Sequence, residues 1–325
     1  MKVVDHLAAL ERPAVSFEII PPLRGGSLAS VLKLLEDLLV WRPPFVDITS
    51  HAAEAIYEET PRGIEKRIRR KRPGTLGLCA IVRHTYGVDA VPHVLCRGFD
   101  RQETEDMLIE LRYLGIDNVL AVRGDGPAAR PKREGGANVH ASDLVQQIAD
   151  MNRGRYLEEL LDADPTDFCI GVGAYPEKHD EAPNLEADVR HLKEKVEAGA
   201  DYAVTQMFFD NRRYFDFVEA ARAAGIEIPI IPALKILTRA RQLTTLPRTF
   251  HLDIPPELSE PVEAEPERAL DHGVDWAVRQ AEELYARGVP AVHFYVMQSA
   301  APVSRVLERL GMPREERVSR PRRAT

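Results

Sequence analysis

Short apolar runs that end on a polar or charged residue recur along the chain, and stretches of helical periodicity separate them. Val15-Ser16-Phe17 runs into Glu18, Phe45-Val46-Asp47-Ile48 into Thr49, and Ala90-Val91-Pro92 into His93. Val119-Leu120-Ala121-Val122 leads to Arg123-Gly124-Asp125, the run from Cys169 to Ala174 ends on Tyr175, and Ala203-Val204-Thr205 ends on Gln206. Runs of this length bounded by polar punctuation read as buried strands. Eight are expected, at about 14–19, 45–50, 90–95, 118–123, 168–174, 202–206, 228–233 and 291–296. Helices are expected between them, among others at 28–40, 102–114, 186–198 and 212–224. Gly115, Gly199 and Gly225 each stand where a helix would close before the next strand. Strand–helix alternation predicts an α/β fold with parallel strands. Eight repeats favour a closed (β/α)8 TIM barrel, with an open doubly wound sheet as the alternative. In such a barrel the polar residues that end the strands gather on the C-terminal face, where sites are built.

Three stretches break the rhythm. Residues 52–74, ending in Lys66-Arg67-Ile68-Arg69-Arg70-Lys71-Arg72, are expected to form an extra helical insertion after strand 2. A basic face of this kind is usually just solvated, and phosphate binding is the lesser reading. Thr75 to Tyr86 fits a strand or a short helix. Residues 126–140 form a long polar loop beside Asp125, and 254–268 are rich in Pro and Glu ahead of a long helix at about 266–287. The expected organisation is one catalytic domain over 1–312 and a basic C-terminal tail over 313–325.

Composition narrows the function. A formal net charge of −8 argues against non-specific nucleic-acid binding. No apolar run reaches the roughly 18 residues of a membrane span and no signal-peptide pattern is present, so a cytoplasmic protein is expected. Cys79, Cys96 and Cys169 are widely spaced in apolar contexts and read as buried free thiols. There is no GxGxxG after the first strand, no P-loop and no metal-ligand spacing.

Unaided, the residues go only part of the way. Glu18, in so apolar a run, reads equally as a carboxylate paired to a neighbouring cation or as a general acid. Asp125 carries the same ambiguity, although Gly124 lets backbone approach a ligand closely. His93 could simply cap the barrel rim, and Tyr175 to His179 could be a functionless turn. Asp188 and Lys195, two turns apart on one helical face, resemble a solvated pair. Gln206 followed by Phe208 and Phe209 suits a flat heteroaromatic ligand, the amide offering donor and acceptor and the rings stacking.

Taken together, several motifs resemble the methylenetetrahydrofolate reductase family. They are Ser16-Phe17-Glu18 with Pro21-Pro22, Pro92-His93, Leu120 to Asp125, Ala141 to Val145, Ala174-Tyr175-Pro176-Glu177 with His179, Lys195 to Ala200, Thr205-Gln206 with Phe208-Phe209-Asp210, and His293-Phe294-Tyr295. They run in family order over nearly the whole chain. The resemblance implies a barrel that carries FAD at its strand ends and reduces 5,10-methylenetetrahydrofolate to 5-methyltetrahydrofolate with NADH or NADPH. By position, Glu18 resembles the general acid that protonates folate N10, and Asp125 the carboxylate that tunes flavin and pterin. Gln206 and Gln242 resemble the substrate-contacting amides. Thr49, His93, Arg123, Gly124, Asp125, His140, Ala141, Tyr175, His179, Asp188 and Lys195 resemble FAD contacts. Folate and nicotinamide would stack in turn on one flavin face, which implies ping-pong turnover, and the family's habit implies a homo-oligomer. The sequence departs from the family pattern at Pro232-Ala233-Leu234-Lys235-Ile236-Leu237, at Leu246, and at Ser299, where an arginine is usual. Other readings stay open: a flavin barrel with a different substrate, in the manner of proline dehydrogenases, or a non-catalytic flavin- or folate-binding subunit.

Overall fold

The computed structural model describes residues 1–61, 63–124, 136–316 and 318. In chain order its elements are α1 (Val3–Ala8), β1 (Ala14–Ile19), α2 (Leu28–Leu39), β2 (Phe45–Ile48), β3 (Ala53–Thr60), β4 (Gly63–Arg70), α3 (Thr75–Tyr86) and β5 (Asp89–Leu95). Next come α4 (Arg101–Tyr113), β6 (Asn118–Val122), α5 (Ala141–Met151), β7 (Cys169–Ala174), α6 (Leu185–Ala198), β8 (Tyr202–Thr205) and α7 (Asn211–Ala223). The chain continues through β9 (Ile230–Ile231), β10 (Ala233–Leu234), α8 (Gln242–Phe250), α9 (Pro256–Ala264), α10 (Ala269–Ala286), β11 (Ala291–Met297) and α11 (Ala301–Arg309).

The main sheet runs β10-β11-β1-β2-β5-β6-β7-β8-β9, with parallel pairing throughout. Its two ends, β9 and β10, are halves of one stave broken at Pro232, so the ring closes as a TIM barrel. Proline has no N–H for the ladder. The stave is held at the break by its neighbours: His293 N donates to Pro232 O at 2.9 Å, and Ala233 N to Thr205 Oγ1 at 2.9 Å.

Alternation along each stave sorts side chains into two cores. Val15, Phe17, Ile19, Val46 and Ile48 face outward into the main core, against the inward stripe Val31, Leu34, Leu35 and Leu38 of α2. Inside the barrel, Phe45, Val91, Leu120, Cys169, Tyr202 and Ile231 pack with Val3 and Leu7 of α1. Tyr202 lies across Gly171, where a Cβ would stand 2.3 Å from its Cζ. All three cysteines are buried and free, as expected. Local signals hold the helices in register. Asp100 accepts from Glu103 N at 2.7 Å while Glu103 accepts from Asp100 N at 3.1 Å, a capping box at the start of α4.

The insertion after β2 is not helical. Residues 53–70 form an antiparallel hairpin, β3–β4, with Glu59 opposite Ile64 and Ala53 opposite Arg70. Its period is 2, which places Ala55, Tyr57, Ile64 and Ile68 on one face, and charge pairs such as Arg67–Glu58 (3.2 Å) cross the strands. The ambiguous piece after it is the helix α3. No helix among the described residues is long and apolar enough to cross a membrane.

Candidate functional site

The C-terminal ends of the staves bring most of the predicted residues to one rim. Glu18 is the penultimate residue of β1, and Thr49 follows β2. His93 lies in β5, Arg123 and Gly124 follow β6, Tyr175 follows β7, and Gln206 follows β8. Asp125 lies outside the described residues, as do 126–135 of the polar loop and most of the basic tail.

Glu18 is 9% exposed, and its Oε2 lies 3.4 Å from His93 Nε2. Burial, with His51 nearby, pushes the His93 imidazole down to about 3, so it is neutral near pH 7. His293, buried beside Ser16 with Nδ1 2.8 Å from Oγ, is likewise pushed down to about 3 by burial. Neither imidazole can therefore supply a proton as imidazolium near neutrality. Burial also pushes the Lys235 amine down to about 8, but that amine donates to the Tyr295 carbonyl at 2.8 Å. Tyr295 OH in turn donates to Thr205 O at 2.8 Å.

A second set lines the rim from β2 to α6. Thr49 Oγ1 is buried with no hydrogen-bond partner among the described residues, so a donor and acceptor await a ligand. Gly124 holds φ +85°, which keeps that backbone open to close approach. Lys195 is not on a solvated face: its buried amine donates to Gly173 O at 2.7 Å, and burial pushes it down to about 8. Asp188, 6% exposed, accepts from His179 N at 2.8 Å. The His179 ring stands edge-on to Tyr175 at 4.7 Å, and Lys195 Nζ lies 5.9 Å from the Tyr175 centroid. Arg123 pairs with Glu181, and His140 and Ala141 begin α5. An orphaned hydroxyl, an open glycine, the buried Lys195 amine, the half-buried Arg123 and an aromatic edge in a row fit a long anionic dinucleotide such as FAD.

Other expectations shift. Phe208 and Phe209 are 0% and 1% exposed and belong to the cores, Phe208 stacking on Tyr214 at 5.7 Å. They offer no face to a ligand, because the protein's own side chains cover both rings. Gln206 Oε1 accepts from Met207 N at 2.9 Å. The Gln242 carbonyl oxygen is engaged by Thr238 N, Thr238 Oγ1 and Arg239 N at 2.7, 3.0 and 2.9 Å, so only its NH2 can act on a ligand. At the end of the hairpin Arg70 stacks on Phe99 at 4.8 Å, and just beyond it Arg72 donates to Pro21 O at 2.8 Å. The sequence pattern does not single out Asp47, Lys235 or Tyr295 as site residues. For Asp47 the available signal is an acid inside an otherwise apolar strand.

A family model described as methylenetetrahydrofolate reductase matches residues 2–311. A Schizosaccharomyces pombe protein named methylenetetrahydrofolate reductase 1 is 30% identical over 96% of this chain and 49% of its own length. A Pectobacterium carotovorum 5,10-methylenetetrahydrofolate reductase is 28% identical over 95% of this chain and 94% of its own. The chain spans about half the length of several of the curated relatives it matches, an Arabidopsis thaliana NADH enzyme among them. Among solved structures, a Clostridium thermocellum protein described as binding two copies of 5-methyl-5,6,7,8-tetrahydrofolic acid superposes with TM-score 0.56 at 12% identity. That alignment covers 94% of this chain and 97% of the other, and it speaks for the fold alone.

Proposed function

The chain belongs to the methylenetetrahydrofolate reductase family, and from that premise we propose that it reduces 5,10-methylenetetrahydrofolate to 5-methyltetrahydrofolate, with bound FAD and with NADH or NADPH as the donor. The observation that carries this reading is Glu18, a nearly buried carboxyl on the barrel rim beside a histidine that burial keeps neutral. FAD, when bound, supplies a hydride carrier between the two substrates. Thr49, His93, Arg123, Gly124, His140, Ala141, Tyr175, His179, Asp188 and Lys195 would hold it, with Lys195 and Arg123 offsetting its phosphate charge. Asp125 is proposed, by its place in the motif after β6, as the carboxylate near flavin and pterin.

Glu18 gives its proton to folate N10, which opens the five-membered ring and exposes the one-carbon unit as an electrophile. The neutral His93, with Nε2 3.4 Å from Glu18 Oε2, does not compete with it as an acid. Gln206 and the NH2 of Gln242 would orient the folate ring and, in its turn, the nicotinamide. One face serving both substrates gives ping-pong order. The purified protein, given methylenetetrahydrofolate and either nicotinamide donor, is expected to form 5-methyltetrahydrofolate, identified by mass spectrometry. Consumption of NADH or NADPH with no methylated product would refute the substrate assignment.

A further inference from the structure

Asp47 is a fully buried carboxyl that the reaction described above does not use. Neither of its oxygens has a hydrogen-bond partner among the described residues. It points into the barrel from β2, and its register partner on β1 is Glu18. Glu18 reaches His93 on β5, the stave on the far side of β2, with Oε2 3.4 Å from Nε2. To span that gap the Glu18 carboxyl must pass over β2, and Asp47 is the inward residue at that level.

The surroundings of Asp47 leave it little choice of charge state. Glu18 faces it from β1, Tyr202 from β8 and Tyr295 from β11, while Cys79 of α3 lies behind it. The His93 and His293 imidazoles of the same barrel interior are neutral, and among the described residues the charge that acts on Asp47 is that of Glu18 once it ionises. Burial and that neighbour both push the Asp47 carboxyl well above the ordinary range. Two carboxyls on register partners inside a barrel oppose each other's ionisation.

We infer that Asp47 is a positioning residue for Glu18: an un-ionised carboxylic acid beneath it that donates a hydrogen bond to the Glu18 carboxylate left once Glu18 has given up its proton. The inference rests on the proposed reaction for the role of Glu18, but the state of Asp47 can be read without any substrate. In the unfolded chain Asp47 ionises at about pH 4, whereas in the folded protein it keeps its proton. The unfolded state therefore binds fewer protons above that pH, and Asp47 costs stability as pH rises.

The test compares Asp47→Asn and Asp47→Leu with the parent protein carrying its flavin. The melting temperature of Asp47→Asn is expected to gain on the parent between about pH 5 and pH 8 and to match it at about pH 4. A difference independent of pH would overturn the un-ionised assignment, whatever the substrate. In single-turnover folate reduction, Asp47→Leu is expected to lose about 10–100-fold, the worth of a hydrogen bond to a charged group. Its alkaline limb should move up by about one pH unit because Glu18 becomes a weaker acid. Asp47→Asn keeps a donor and should stay within about fivefold of the parent. Flavin reduction by the nicotinamide donor should be unchanged in both. Equal loss in Asn and Leu, or an unmoved limb, would overturn the positioning role, whereas a parent that reduces no folate would overturn the reaction instead.

Discussion

Replacing Glu18 with Gln is expected to cut folate reduction by about 10²–10⁴-fold while leaving flavin reduction by NADH or NADPH near its parent rate. Gln keeps the shape of the side chain and its hydrogen bonding to the rim but has no proton to give. The loss is large because the imidazoles beside Glu18 are neutral and Asp47 is fully buried beneath it. Burial pushes His93 and His293 down to about 3, so both are neutral, and the Lys235 amine donates to the Tyr295 carbonyl. Hydride delivery from nicotinamide to the flavin requires no proton at Glu18, so the two half-reactions should separate cleanly. Stopped-flow measurement of each half-reaction checks this, and a Gln variant that reduced folate at the parent rate would remove Glu18 from the chemistry.

Gly273→Ala is expected to cost about 4 kcal/mol or more, and to lower the melting temperature by roughly 5–10 °C. Gly273 lies inside α10, and a Cβ there would stand 1.8 Å from Leu237 O and 2.7 Å from Leu237 C. Those are backbone atoms, so no rotamer change relieves the clash and the helix itself must move. It has little room: Trp276 Nε1 donates to Phe209 O at 2.9 Å, and Val274, Ala277 and Ala281 are buried at 0%, 1% and 0% exposure. The Leu237 segment joins β10 to Gln242, so the same shift would disturb the substrate side of the rim. Gly77→Ala in α3 is the control. A Cβ at Gly77 would meet no atom within 4 Å, and a helical glycine replaced by alanine should be neutral or stabilising by up to about 1 kcal/mol. Thermal melts of the two variants decide the matter, and a Gly273→Ala protein as stable as the control would show that α10 is not locked against Leu237.

What can be read from the sequence depends on how local its cause is. All eight staves stand where the apolar runs place them, because a run such as Val119 to Val122 carries its own burial signal. The residues that end the staves lie on one rim because barrel geometry puts them there. The hairpin at 53–70 reads as helix because Lys and Arg are good helix formers, and pairing with the glutamates of β3 outweighs that preference. Phe208 and Phe209 resemble ligand faces because a sequence does not say which way the chain turns after β8. Asp188 and Lys195 read as solvated because their spacing marks a shared helix face, not what that face packs against. Asp47 stays hidden for a related reason: its meaning comes from Glu18 on the neighbouring stave, a juxtaposition set by register.

The most direct test of the central claim, that one flavin site serves both substrates, is an anaerobic titration of the purified protein followed by visible absorbance. Addition of NADH or NADPH should bleach the bound flavin, and subsequent addition of methylenetetrahydrofolate should restore its colour with one equivalent of 5-methyltetrahydrofolate formed. Bleaching that methylenetetrahydrofolate cannot reverse, or a protein that holds no flavin, would contradict it.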